Sequence, residues 1–212
     1  MADSLKIAVF ASGRGSNALA ILDAIEAGTI RDASVVLVIS NNSDAGVLAM
    51  ARERDIPAVH ASRKGFKSDE EWCQALLTML DDFGANFIVL AGYMKKGDAE
   101  IVRRFRNRIV NIHPALLPAF GGPGMYGMNV HEAVVKSAAK ISGATVHLVD
   151  EEYDRGPIVL QQSVALAEGE TAETLAAKVL KIEHELYPRA IRLFAEGKVI
   201  IHEQHVRIEQ EA

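Results

Sequence analysis

Residues 6–27 read KIAVFASGRGSNALAILDAIEA, and this stretch decides the fold. Lys6 to Ala11 is a short apolar run with β-branched Ile7 and Val9, which predicts a strand, while Ala18 to Ala27 carries apolar residues at helical spacing. A strand that runs through a glycine turn straight into a helix is the first half of a β-α-β unit. The same grammar repeats outward. Val35 to Ser40 (VVLVIS) predicts a second strand, Ala45 to Asp55 a helix, and Ala58 to Ala61 a short strand. Ser68 caps a helix to about Phe83, with Asp69, Glu70 and Glu71 in the first turn where the helix dipole favours them. Strand Phe87 to Ala91, a short helix near Asp98 to Phe105 and strand Arg108 to Ile112 follow. The class is α/β, with a mainly parallel sheet and helices on both faces.

His113 to Gly127 contains Pro114, Pro118, Pro123 and four glycines, so no regular element fits it. A loop of 15 residues in a compact domain is usually functional, and AFGGPGMYG at 119–127 reads as a lid over a site. Beyond it the pattern changes to helix Val130 to Ser137, then strands Ala144 to Val149 and Ile158 to Val164 as an antiparallel pair. A helix from Thr171 to about Tyr187, interrupted by Pro188, and two short strands near Val199 and Val206 close the chain. There is no repeat or linker in the 212 residues, so the expectation is a single domain over 1–212.

Composition narrows the function. With 49% hydrophobic and 24% charged residues the chain is globular, and its formal charge of −5 offers no field to attract a polyanion. Nucleic acid is not an expected partner. No apolar run is long enough to span a membrane, and the single cysteine, Cys73, fits a reducing compartment, so the expected setting is cytoplasmic. Cys73 lies in an apolar helical run and reads as packing. HEAVV at His131 lacks a zincin's second histidine, and the His202-to-His205 stretch sits near a terminus, so no metal is expected.

Ser12-Gly13-Arg14-Gly15-Ser16-Asn17-Ala18 lies where a parallel sheet presents its ligand crevice. It resembles the dinucleotide pattern G-x-G-x-x-A, but strand two ends Ser40-Asn41-Asn42, with no carboxylate for a ribose until Asp44. A phosphate monoester fits better than NAD, and the P-loop signature for ATP is absent. The alternative is a tight turn in which Ser16 or Asn17 only caps the helix.

Asn111-Ile112-His113-Pro114 ends a parallel strand, and alternation puts Asn111 and His113 on one face. An amide donor beside an imidazole suits a developing oxyanion; the bland alternative is a strand-end histidine bonded to a backbone carbonyl. Asp154, held in a turn by Gly156-Pro157, is the best acidic partner, and paired with His113 it would raise the imidazole pKa.

SGRGSN, AGYM, NIHPALLP and DRGP, in this order, together with EHELYP in the last long helix, resemble the phosphoribosylglycinamide formyltransferases over almost the whole chain. The resemblance implies a Rossmann-like formyltransferase fold. It also implies transfer of a formyl group from 10-formyltetrahydrofolate, as co-substrate, to the amine of glycinamide ribonucleotide, by direct acyl transfer without a metal. It makes Asn111, His113 and Asp154 the catalytic trio, and Arg14, Gly15, Ser16, Asn17 and Glu183 the ribonucleotide site. Tyr93, Met94, Lys95, Lys96 and Gly97, with Asn111, would meet folate, although Lys95-Lys96-Gly97 departs from the arginine and apolar residues common in relatives. A nucleotide-binding half of about 1–110 and a folate and catalytic half of about 85–212 follow, in a monomer or homodimer. Alternatives are a formyltetrahydrofolate deformylase, a methionyl-tRNA formyltransferase, and a phosphate-binding module without catalysis. At 212 residues the expectation is a bare catalytic domain, without the added domains of the first two.

Overall fold

The computed structural model describes residues 4–93 and 99–209. Strands β1 (Leu5–Phe10), β2 (Ala33–Ser40), β3 (Ala58–His60), β4 (Phe87–Leu90) and β5 (Ile109–His113) alternate with helices α1 (Ser16–Glu26), α2 (Gly46–Arg52), α3 (Asp69–Asp82) and α4 (Ala99–Arg104). Helix α5 (Met128–Lys136), strands β6 (Ile141–Leu148) and β7 (Ile158–Ala165), helix α6 (Ala172–Ala195) and the hairpin β8 (Val199–His202) to β9 (His205–Ile208) complete the order.

The main sheet runs β3-β2-β1-β4-β5-β6-β7. Pairs from β3 through β5 are parallel, and β5-β6 and β6-β7 are antiparallel. This is the α/β class read from the alternation of strands and helices. Chain order reverses between β1 and β4, so the C-terminal ends of β1, β4 and β5 open onto one crevice, the usual ligand position in such sheets. Two apolar layers hold the sheet. Ile7, Val9, Val38 and Val89 pack on one face against α1, α2 and α6, while Ala8, Phe10, Leu37 and Ile88 pack on the other against α3 and α4. The odd-even split along β1 is the strand period at work.

Local chemistry explains the element ends. Ser68 accepts a hydrogen bond from the Glu71 N–H at 3.2 Å and starts α3 as read from the sequence. Thr171 and Thr174 form a reciprocal capping box at the start of α6. One expectation fails here: α6 does not stop near Tyr187 but continues through Pro188 to Ala195. Proline removes the N–H that the His184 carbonyl would receive, yet Ala190, Ile191 and Leu193 beyond it are buried, and that packing outweighs one lost helical bond. Among the described residues no helix is long and apolar enough to cross a membrane.

Candidate active site

The crevice holds a cavity of ≈ 540 Å³ that reaches from Asn17 and Glu183 at one end, past Asn111, His113 and His147, to Leu90, Tyr93 and Val149. Its rim includes Tyr126, Met128 and Tyr153, each large, apolar in part and exposed. A smaller apolar slot of ≈ 40 Å³, between α3, α4 and the sheet, shares Leu90, Tyr93 and Val149 with it.

At the first end, Gly15 is the N-cap of α1, with φ +80°, and no side chain caps the helix. The reading in which Ser16 or Asn17 merely caps is thus not realised. The first-turn N–H groups of Ser16, Asn17 and Ala18 lack intrahelical partners, as at every uncapped helix start. Gly15 must be glycine for two reasons: its backbone is left-handed, and a Cβ there would stand 2.6 Å from Val47 Cγ2. Arg14 is exposed beside the turn and Ser16 is half-buried. Asn17 turns inward and donates from Nδ2 to Glu183 Oε2 at 2.7 Å, which joins the turn to α6 across 166 residues of sequence. Glu183 is buried, and burial pushes its carboxyl above the usual range while the Asn17 bond pulls it back. Tyr187, one turn further along α6, shares its hydroxyl hydrogen between the carbonyls of Leu90 and Val110, seating the helix beneath β4 and β5.

In the middle of the cavity the predicted trio comes together. His113, a member of β5, is 3% exposed. Its Nε2 lies 2.8 Å from the Phe120 carbonyl, which only accepts, so Nε2 carries a hydrogen. The bland reading, a strand-end histidine on a backbone carbonyl, therefore holds for this nitrogen. The other, Nδ1, stands 3.7 Å from Asp154 Oδ2, beyond hydrogen-bond reach, and is free for a ligand. The expected direction of the His113 pKa is corrected: burial lowers it, and this outweighs the upward pull of Asp154 and of the Phe120 carbonyl.

Asp154 is aimed by its turn. Gly156 lies against the β6 backbone so closely that a Cβ would meet the Leu148 carbonyl oxygen at 2.0 Å, and Asp154 itself is left-handed at φ +54°. Its Oδ2 accepts from the Gly122 N–H at 2.8 Å, so residues 120–122 hold both His113 and Asp154. Asn111 faces His147 across the β5-β6 register, with Nδ2 3.1 Å from His147 Nε2.

His147 and His131 were missed from the sequence. His147 stands 3.7 Å from Asp154 Oδ1, and its signal was the one titratable residue in the strand ATVHLV, directly across the ladder from Asn111. His131, dismissed as a zinc ligand, lines the cavity; burial and the nearby His113 push its pKa down. Of the folate stretch, Tyr93 lines the cavity, whereas Met94, Lys95, Lys96 and Gly97 lie outside the described residues. Among the described residues no group of three or more histidine, cysteine or acidic side chains is arranged to hold a metal.

A sheet switch point with a helix N-terminus at one end and an amide, an imidazole and a carboxylate in the middle is an arrangement for acyl transfer near an anion. A sequence model of the Formyl transferase family matches residues 5–191, and the chain belongs to that family. Within it, the chain is similar to phosphoribosylglycinamide formyltransferases. It is 43% identical over 195 residues to the chloroplastic one of Arabidopsis thaliana, covering 92% of this chain but only 66% of that relative's length. To the one of Haemophilus influenzae it is 38% identical over 194 residues, covering 92% and 89%. The crystal structure of glycinamide ribonucleotide transformylase 1 from Symbiobacterium toebii superposes with a TM-score of 0.92 at 39% identity, covering 99% of this chain and 96% of that one.

Proposed function

We propose that the protein transfers the formyl group of 10-formyltetrahydrofolate to the amine of glycinamide ribonucleotide, a step of purine biosynthesis, releasing tetrahydrofolate. The observation that carries this reading is the meeting of Asn111, His113 and Asp154 in one cavity, between an uncapped helix N-terminus and an apolar slot. The phosphate is met by the backbone N–H groups of Gly15, Ser16 and Asn17 at the positive end of α1, with Arg14 beside them. Glu183 accepts from the ribose hydroxyls. The folate ring lies against Leu90, Tyr93 and Val149 at the mouth of the apolar slot. This division puts the nucleotide half at about 1–110 and the folate and catalytic half at about 85–212, with Glu183 crossing over to the nucleotide.

The amine attacks the formyl carbon and a tetrahedral adduct forms. One Asn111 Nδ2 hydrogen and His113 Nδ1–H donate to its oxyanion. Nε2 holds the one hydrogen of the neutral ring, so Nδ1 gains its hydrogen only as the amine, once bonded to the formyl carbon, gives up a proton to it; Asp154 and the oxyanion together favour the imidazolium that burial disfavours. Asp154 then helps pass that proton, taken from the attacking amine, on to the departing folate nitrogen, which leaves His113 neutral again. No step calls for a metal or a covalent enzyme intermediate. A monomer or homodimer in the cytoplasm, with small molecules as its ligands, completes the proposal, and the single buried cysteine fits that setting.

Two folded variants test the trio. His113→Ala and Asp154→Asn should each lower kcat by about 10²–10³, the usual cost of losing a preorganised donor or a proton-transfer group. Near-normal turnover in both would remove these residues from the mechanism.

A further inference from the structure

We propose that His147 is a positioning residue for Asn111: held as the neutral, Nδ1-protonated tautomer, it dictates which edge of the Asn111 amide faces the cavity. The inference deepens the functional reading above and rests on it for the link between Asn111 and turnover.

The tautomer follows from partners. His147 is 2% exposed in β6, and its Nδ1 lies 2.9 Å from the Leu148 carbonyl oxygen, which can only accept. Nδ1 therefore carries a hydrogen. Burial pushes the imidazole below the usual histidine value, so near neutral pH Nε2 is a bare lone pair. The groups facing the ring are Asp154, with Oδ1 3.7 Å from Nε2, and Asp150, which both favour a charged ring, and His113, which opposes it. The β7 partner opposite is Ile158, which adds no charge.

A bare Nε2 accepts, and the Asn111 atom 3.1 Å from it must donate, so that atom is Nδ2. One amide hydrogen is spent there. The second Nδ2 hydrogen and Oδ1, which has no hydrogen-bond partner among the described residues, are left for the substrates: the hydrogen for the formyl oxygen, Oδ1 for a hydrogen of the attacking amine. A proton on Nε2 would set donor against donor. Relief would require the amide to rotate by half a turn, which exchanges the donor and acceptor that the reacting groups meet.

The test combines a tautomer measurement with a double-mutant cycle. In the wild-type protein, ¹⁵N resonances of His147 should report a protonated Nδ1 and a bare Nε2 at neutral pH. His147→Phe, which keeps a planar aromatic ring but has no acceptor, should lower kcat about tenfold with both KM values within about twofold, the effect of one lost net hydrogen bond in the transition state. In an Asn111→Ala background the same substitution should change kcat by less than about twofold, because its target is gone. His147→Gln, whose carbonyl accepts without titrating, should retain more activity than His147→Phe. Equal losses in both backgrounds, or an Nε2-protonated tautomer in the wild type, would overturn the proposal. If the wild type formylates no glycinamide ribonucleotide, the functional reading fails while the tautomer still decides how Asn111 is oriented.

Discussion

Gly15→Ala probes the turn on which both the fold and the ribonucleotide site depend. Two costs add. A left-handed backbone costs a non-glycine residue about 1–2 kcal/mol, and Gly15 has φ +80°. The new Cβ would lie 2.6 Å from Val47 Cγ2 and 2.7 Å from its Cβ, an overpacking that typically costs about 1–3 kcal/mol. A few tenths return because alanine restricts the unfolded chain, leaving a loss of about 1.5–4.5 kcal/mol. For a chain of this size that lowers Tm by about 3–18 °C in a thermal melt. Gly13→Ala is the control: its Cβ meets nothing within 4 Å, so Tm should move by no more than about 2 °C. Relief of the Val47 clash also pulls the first-turn N–H groups off their aim. KM for glycinamide ribonucleotide should rise about tenfold or more, the worth of one charge-assisted hydrogen bond, with KM for 10-formyltetrahydrofolate unchanged. A Gly15→Ala protein that melts with the wild type and keeps its ribonucleotide KM would refute both the steric argument and the phosphate assignment.

Other outcomes follow from the buried charges. Glu183 has its carboxyl pushed above the usual range by burial, so the stability it contributes is complete below 4.5 and is lost as pH rises through its raised value. Glu183→Gln should therefore gain in Tm relative to wild type as pH rises above 4.5, while the ribonucleotide KM rises about tenfold with the loss of a charged acceptor; a constant Tm difference would count against a buried carboxylate. His113, His131, His147 and His184 all lie below 6.5 because burial disfavours their charged forms. The unfolded chain takes up protons at these positions first, so the stability they allow is whole above 6.5 and falls away below it. Melts should show a lower Tm at pH 5.5 than at 7.5, and no change would mean that these rings charge freely in the native state. Tyr126, exposed at the cavity rim, should tolerate Tyr126→Ala with Tm nearly unchanged. If it covers bound substrate, that variant raises KM; unchanged kinetics would remove this side chain from the lid.

What the sequence showed and what it hid separate along one line. Elements set by local pattern, such as β1 with its glycine turn or α3 with its Ser68 cap, were legible because period and capping act within a few residues. Asp154 could be singled out because Gly156-Pro157 announces a rigid turn. Its distance to His113 could not, since it depends on the pairing of β5 with β6. His147 was hidden for the same reason: only the antiparallel register sets it opposite Asn111. The passage of α6 through Pro188 was misread because burial of Ala190, Ile191 and Leu193 is a tertiary effect that outweighs a local rule. The His113 pKa was misjudged similarly. A carboxylate partner is visible in sequence, whereas the burial that outweighs it is not.

The formyl group is proposed to go to an amine held in this cavity and not to water. Purified protein is mixed with 10-formyltetrahydrofolate with and without glycinamide ribonucleotide, and the absorbance change from the formylated to the free folate is followed. Absorbance should change only when the ribonucleotide is present, matched mole for mole by formylated product. Folate released at the same rate without the amine would make the protein a deformylase and contradict transfer to an amine, and no change in either mixture would leave the cavity a binding site without this chemistry.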